Sequence, residues 1–295
     1  MSGVYVKKCF DDMIDSSQGA PSAHLQRIAH EELGETPEKR REALEEIRRL
    51  LEAEPDLNSR KDEEFLLRFL RVRKYDVESA LRCVRNYYRN RASSGSVYDE
   101  FLPSRVLPAA HKLYMVMPQK DIRGRPIFLH RAGMWMPDEV PYKDLHRAGL
   151  ICLEHMACDP VAQTLGIVLL IDFAGFTADK AFSLSIGLMR RAFEYIQDCM
   201  PMRMKAVHIV RQSYAFDLLF ALVRPFMSAK IIKRVRFHGE NFERLHEEVP
   251  PEALPEEYGG RGPPLEVGAF WKEVEANEAS FAANNRFGCC TSDVD

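Results

Sequence analysis

Several features are scarce in this 295-residue chain, and each scarcity removes a class of function. No apolar run approaches the roughly 18 residues that begin to suggest a membrane-spanning helix, so any contact with a bilayer is expected to be peripheral. Charge of one sign is also missing: 41 Lys and Arg stand against 44 Asp and Glu, a net of -3, which gives no global pull toward nucleic acid. Cysteine is sparse and unpatterned. The seven (Cys9, Cys83, Cys152, Cys158, Cys199, Cys289, Cys290) are an odd number without a CxxC pair, which fits reduced cytosolic thiols and argues against a disulfide framework or zinc site. The N-terminus carries Lys7, Lys8, Asp11 and Asp12 where a secretory signal needs an apolar stretch. Five residues follow Cys290, so it is not a prenylation box, although Cys289–Cys290 remains a weak acylation candidate.

Catalytic signatures are missing too. There is no GxGxxG, P-loop, GxSxG or HExxH, since His30-Glu31 and His246-Glu247 lack the second histidine. The nine histidines show no ligand spacing, so no metal and no cofactor is expected. Cys83 to Arg89 matches the C-x5-R spacing of Cys-dependent phosphatases, but it falls inside an amphipathic helix whose N–H groups are already bonded and cannot cradle a phosphate. Asp172-Phe173-Ala174-Gly175 loosely resembles a kinase turn without the accompanying kinase elements. Glu154 and Asp172 could form a carboxylate pair, but an acid that ends a buried strand more often caps the next turn. No catalytic constellation survives, and a binding protein is favoured over an enzyme. The pentapeptide LHRAG occurs twice, at Leu129–Gly133 and Leu145–Gly149, with no period behind it, and is read as coincidence.

What is present is a change of period along the chain. Residues 1–35 mix Ser, Gly, Pro and charges and are expected to form a flexible segment. A helix opens at Thr36-Pro37-Glu38 and runs to about Ala53; others span about 62–73 and 76–92, giving a small all-α unit over 36–95. Strands are then expected at Leu113–Met117, Pro126–His130, Gly166–Phe173, Lys205–Val210 and Val235–His238. They alternate with helices at Tyr142–Met156 and Ala178–Cys199, the latter expected to be continuous. The fold class is therefore α/β, with a mixed, largely parallel sheet flanked by helices over 106–262. Residues 263–295 supply a C-terminal helix, about Leu265–Phe281, and a tail.

Tyr214 to His238 joins an apolar segment to a cationic one. Phe216, Phe220, Val223 and Met227 recur at helical spacing, while Lys230, Lys233 and Arg234 share one face. Like charges at that spacing repel by roughly 0.2–0.5 kcal/mol per pair, and an anion would relieve this. Two readings stand: a core helix followed by cations at a helix end, or an apolar gate that meets an anionic membrane. Charge is uneven around it. Residues 187–238 hold ten Lys or Arg against Glu194, Asp198 and Asp217, a local basic patch on a near-neutral chain. Residues 171–227 are also rich in Phe and Met, which suits either a filled core or a pocket with adaptable walls.

Asp62–Tyr75 (DEEFLLRFLRVRKY), Leu170–Phe176 (LIDFAGF), Pro225-Phe226 with Lys230–Gly239, and Pro255–Gly260 (PEEYGG) together resemble the CRAL-TRIO lipid-binding family over about residues 36–285. The resemblance is strongest to its branch of tocopherol and retinoid carriers. It implies an apolar ligand pocket under a helical lid at about Tyr214–Met227, within an α/β domain preceded by the small all-α domain. It places ligand-binding positions on Leu153, Ile171, Phe176, Phe182, Ile196, Val207, Leu219, Val223 and Met227. It places phosphoinositide-binding positions on Arg73, Arg203, Lys230 and Arg234. Where tocopherol carriers have two serines near the ligand's hydroxyl, this chain has Gly149 and Leu153, which implies a less polar pocket or a different head group. The function implied is a cytosolic, non-enzymatic carrier of one hydrophobic molecule, tocopherol- or retinoid-like. Its partners would be that molecule, a phosphatidylinositol bisphosphate head group and, peripherally, endosomal or plasma membranes, with no nucleic acid. The alternatives are a phosphatidylinositol or phospholipid exchange or sensing protein and a non-catalytic endosomal scaffold.

Overall fold

Side-chain caps start the helices of the N-terminal unit. The structure, a computed structural model, describes residues 23–289. It begins with α1 (Ala23–Ile28), which widens into a π-turn over Ala29–Leu33. Thr36 Oγ1 then accepts from Lys39 N at 3.2 Å, and Pro37 opens α2 (Pro37–Glu52), whose Leu44, Ile47 and Leu51 are buried. After the short strand β1 (Leu57–Asn58), Asp62 accepts from Phe65 N at 3.1 Å to cap α3 (Glu63–Val72). Asp76 accepts from Ser79 N at 3.0 Å to cap α4 (Val77–Ser93). Apolar residues at helical spacing on these helices meet in a core that continues into the second unit.

Residues 23–35, expected to belong to a flexible segment, are largely helical and packed. Leu25, Ala29 and Leu33 are buried, and Leu25 packs with Val161 and Leu165. Glu35 forms a two-pronged pair with Arg71 at 2.8 and 2.9 Å, and Arg71 also donates to Gln163 Oε1 at 2.7 Å. Burial pushes the Glu35 carboxyl up, but the hydrogen bonds and charge of Arg71 outweigh it and hold its pKa below the ordinary range. The composition of 1–35 hid this because the anchors are three small or aliphatic residues and one acid. Residues 1–22 lie outside the described residues.

The second unit is built on five strands: β2 (Tyr114–Lys120), β3 (Pro126–His130), β4 (Ile167–Asp172), β5 (Met204–Val210) and β6 (Val235–Gly239). They lie in that order, antiparallel between β2 and β3 and parallel thereafter. Before the sheet comes α5 (Pro108–His111), and between its strands lie α6 (Tyr142–Met156), α7 (Pro160–Leu165), α8 (Ala178–Phe182), α9 (Ile186–Glu194), α10 (Tyr214–Val223) and α11 (Ala229–Ile232). The α7–β4 junction turns on Gly166 (φ 80°), where an added Cβ would lie 2.3 Å from the Arg203 carbonyl oxygen.

Two helices expected to be continuous are interrupted. The span Ala178–Cys199 breaks at Ser183–Ser185, where Ser185 Oγ accepts from Leu188 N to restart α9, and its end widens into a π-turn over Tyr195–Cys199. No proline or glycine marks the break, so periodicity alone ran through it. The C-terminal helix is likewise two: α13 (Val267–Ala276) and α14 (Glu278–Asn284), after the short α12 (Glu243–His246). The chain then returns as β7 (Gly288–Cys289) to pair antiparallel with β1. Cys290 lies outside the described residues. Cys83, Cys152, Cys158 and Cys199 are free thiols.

Candidate functional site

The register of the sheet builds one wall of a cavity. Side chains alternate across a strand, so one face collects two rows: Phe128, Leu169, Val207 and Val235 in the first, Tyr114, His130, Ile171, Ile209 and Phe237 in the second. All but Phe237 line a cavity of about 280 Å³. The opposite wall is helical: Leu145, His146, Gly149, Leu150 and Leu153 from α6, Met189 and Phe193 from α9, and Phe216, Leu219, Phe220 and Val223 from α10. The lining is overwhelmingly hydrocarbon and aromatic, and none of it is Lys, Arg, Asp or Glu.

Helix α10 closes this cavity. Its inner residues Phe216 and Val223 are buried, while Tyr214 (76% exposed), Leu218 (42%) and Leu222 (41%) point outward, with Asp217 the one acid among them. The chain reaches it through Arg211, a non-glycine residue in the left-handed region (φ 53°), whose guanidinium pairs with Asp172. Asp172 also accepts from Ala174 N at 2.9 Å and from the Tyr258 hydroxyl at 3.2 Å. It is thus a structural acid that caps the turn after β4. Glu154 accepts from the Tyr195 hydroxyl at 3.1 Å and lies 3.9 Å from Arg68, in a separate buried cluster. Polar contacts hold both ends of the closing segment. Ser213 Oγ donates to Phe176 O at 3.3 Å; at the other end Gln197 donates to Phe226 O at 2.9 Å and accepts from Ser228 N at 2.6 Å. Rings continue the attachment, with Phe173–Phe216 centroids 4.7 Å apart and Phe220–Phe237 5.4 Å. Gln197 carries no sequence signal, since its role depends on where the chain returns.

The cavity has a polar end. His130 and His146 both line it, and burial pushes each imidazole down to about 4, leaving both neutral at physiological pH. The Tyr114 ring stacks on His130 at 4.4 Å between centroids.

A second feature lies at the edge of β5. Arg73 follows α3, Lys230 lies on α11 and Arg234 just beyond it, with Arg203 ahead of β5. Lys230 is exposed, yet its pKa is lowered, first by partial burial and then by repulsion from Arg234, Arg73, Lys74 and Arg203. Arg234 is lowered in the same way, by burial and by Arg203. These cations therefore share one patch. They are not equally free. Arg203 donates to the Thr164 carbonyl and to Glu32 at 3.0 Å, Arg234 donates to the Met204 carbonyl, and Arg73 to Asp198 O at 3.3 Å. Lys230 forms no ion pair among the described residues.

Of the nine pocket positions singled out in the sequence, Leu153, Ile171, Phe176, Ile196, Val207, Leu219, Val223 and Met227 line the cavity. Phe182 does not. It is 82% exposed at the end of α8, because the helix breaks at the next residue and turns the ring outward. It belongs to α8, on which α10 packs, and Ile186 four residues on is itself 53% exposed.

Comparison with known proteins adds to this geometry. The sequence model of the CRAL/TRIO domain matches residues 110–260, and that of a Pinta-like UBA domain matches residues 36–103. The chain is 34% identical over 255 residues to the "Alpha-tocopherol transfer protein-like" protein of Mus musculus, covering 86% of this chain and 74% of that one. It is 33% identical over 251 residues to Clavesin-2 of Rattus norvegicus, covering 84% and 77%. Among solved structures, the crystal structure of Sfh5 superposes with a TM-score of 0.51 at 10% identity, over 80% of this chain and 92% of that one, a likeness of fold.

Proposed function

The chain belongs to the CRAL-TRIO family, and from that premise we propose that it is a cytosolic carrier of one hydrophobic molecule, tocopherol- or retinoid-like, delivered at phosphoinositide-bearing membranes. Hydrophobic small molecules and lipids are the ligand class of this family, and among the described residues no helix is long and apolar enough to cross a membrane. The observation that carries the proposal is the pairing of a hydrocarbon-lined cavity with a closing helix whose outward face exposes Tyr214, Leu218 and Leu222 around a single acid, Asp217. A helix serving only as a cover would present polar groups to water. Tyr214, Leu218 and Leu222 on α10, with Phe182 and Ile186 alongside, instead form an apolar rim suited to lipid.

Energetics favour such a device. Burying an apolar ligand of about twenty carbons contributes about 0.8 kcal/mol per CH₂, or roughly 16 kcal/mol gross, close to the ceiling of non-covalent affinity. Escape into water is then very slow, and delivery needs a bilayer that replaces the cavity's contacts as α10 opens. Arg73, Arg203, Lys230 and Arg234 would dock the rim. About 1 kcal/mol per cation at an anionic surface is enough to dock reversibly and to bias a lid whose states differ by a few kcal/mol.

Native mass spectrometry of the purified protein, followed by solvent extraction, tests the reading. One bound apolar molecule per chain is expected. A phospholipid head-group mass would favour the exchange or sensing alternative. A chain that carries no lipid even after incubation with lipid vesicles would refute the carrier and favour the scaffold.

A further inference from the structure

We propose that His130 and His146 form a head-group site in the cavity, selecting an apolar ligand with one uncharged hydrogen-bonding group, a hydroxyl or carbonyl, over a hydrocarbon or a carboxylate. The proposal rests on the carrier reading and specifies the ligand's chemistry.

The two imidazoles come from different parts of the chain and line the same cavity. His130 occupies the sheet row in which its neighbour across β4 is Ile171 and the next across β5 is Ile209, so an isoleucine would continue that surface. His146 stands on the inner face of α6, where Gly149, Leu150 and Leu153 follow at helical spacing and also line the cavity. The Tyr114 ring reaches from the first toward the helix that carries the second. It stacks on His130, and a Cβ built at Gly149, one turn beyond His146, would lie 3.1 Å from its Cζ and 3.3 Å from its Oη. Gly149 thus leaves room for the ring that stacks on His130. Both copies of LHRAG deliver their histidine to this place.

Nε2 of His130 and Nε2 of His146 are each buried with no hydrogen-bond partner in the protein. Unpaired buried polar atoms are destabilising, and these two belong to residues that line one cavity, which points to a ligand that satisfies them. A neutral imidazole offers one donor and one acceptor nitrogen, which suits a hydroxyl in either sense and a carbonyl by donation. A carboxylate fits poorly: no Lys or Arg lines the cavity, and burial opposes charging either histidine.

The test is a competition. The protein is incubated with phosphatidylcholine vesicles holding equimolar, isotopically distinct members of one branched C20 series: the saturated isoprenoid alcohol, its carboxylic acid and its hydrocarbon. It is then re-isolated, extracted and quantified by mass spectrometry. The wild-type chain is expected to load the alcohol roughly tenfold over each of the others, the discrimination that about 1.4 kcal/mol confers. His130→Phe with His146→Phe should lose the discrimination and still load the hydrocarbon. His146→Leu alone, the milder variant, should lose part of it. Equal loading of all three by the wild type, or preference for the acid or hydrocarbon, overturns the head-group site and leaves the carrier intact. Undiminished preference for the alcohol in variants that load lipid also overturns the site. Failure of all three to load refutes both the site and the carrier reading.

Discussion

The Glu32 carboxylate lies 3.0 Å from Arg203 Nη1 and 3.0 Å from Lys205 Nζ, so an acid from the N-terminal helical segment occupies the edge of the basic patch. Burial pushes its pKa up, but hydrogen bonds from Lys205 and Arg203 outweigh this and hold it below the ordinary range. Glu32 is thus an internal competitor for one of the cations assigned to docking. Glu32→Gln is expected to strengthen binding to phosphatidylinositol bisphosphate vesicles by roughly two- to fivefold, in line with about 1 kcal/mol or less per charge at an anionic surface. Vesicle flotation measures this, and unchanged or weakened binding would remove Glu32 from the docking account.

Lys230 and Arg234 separate recognition from stability. Lys230 is exposed, so Lys230→Ala is expected to weaken vesicle docking and leave the melting temperature within about a degree, as for surface substitutions generally. Arg234 donates to the Met204 carbonyl, so Arg234→Ala is expected to lower the melting temperature as well. The double variant is expected to lose its preference for phosphoinositide vesicles while still loading ligand; unchanged vesicle binding would refute the assignment of the patch.

How legible these features were depends on how local their physics is. The cap at Thr36 and the buried strands expected at Gly166–Phe173 and Lys205–Val210, found at Ile167–Asp172 and Met204–Val210, announce themselves because capping and strand burial are short-range properties. The apolar cavity positions came from the family resemblance, since composition and spacing left a filled core and a pocket equally open. The pairing of Glu32 with Arg203 was not legible, because its partners are 171 residues apart. Phe182 was misplaced for a related reason. The break at Ser183–Ser185 depends on one serine cap, which a 3.6-residue period does not reveal, and it sends the ring outward. His130 and His146 were visible only as members of a repeated pentapeptide, and the sheet register was needed to bring them to one cavity.

Phe182 has a testable role in that outward position. Phe182→Ser with Ile186→Ser is expected to leave ligand loading and stability nearly unchanged, since both side chains are exposed, and to slow transfer between vesicles several-fold. Stopped-flow transfer of a fluorescent apolar tracer reads the rate. Transfer at the wild-type rate would take these two residues out of the membrane rim.

Acid should loosen the fold through its buried histidines. Burial lowers His130, His146 and His208 from the ordinary 6.5 to about 4 in the folded protein. Between about pH 6.5 and 4 the unfolded chain binds protons that the folded chain refuses, so the contribution present above 6.5 is lost as pH falls through that window. The melting temperature is therefore expected to drop across it, and His146→Phe should flatten the slope. A variant with the full wild-type slope would show that His146 is not buried in its neutral form.

The carrier account is tested most directly by moving an apolar tracer from neutral phosphatidylcholine vesicles to acceptor vesicles with and without phosphatidylinositol bisphosphate. The account predicts transfer in proportion to protein concentration, faster to the phosphoinositide acceptors, with that acceleration lost in Lys230→Ala with Arg234→Ala. Transfer no faster than in the absence of protein would contradict it.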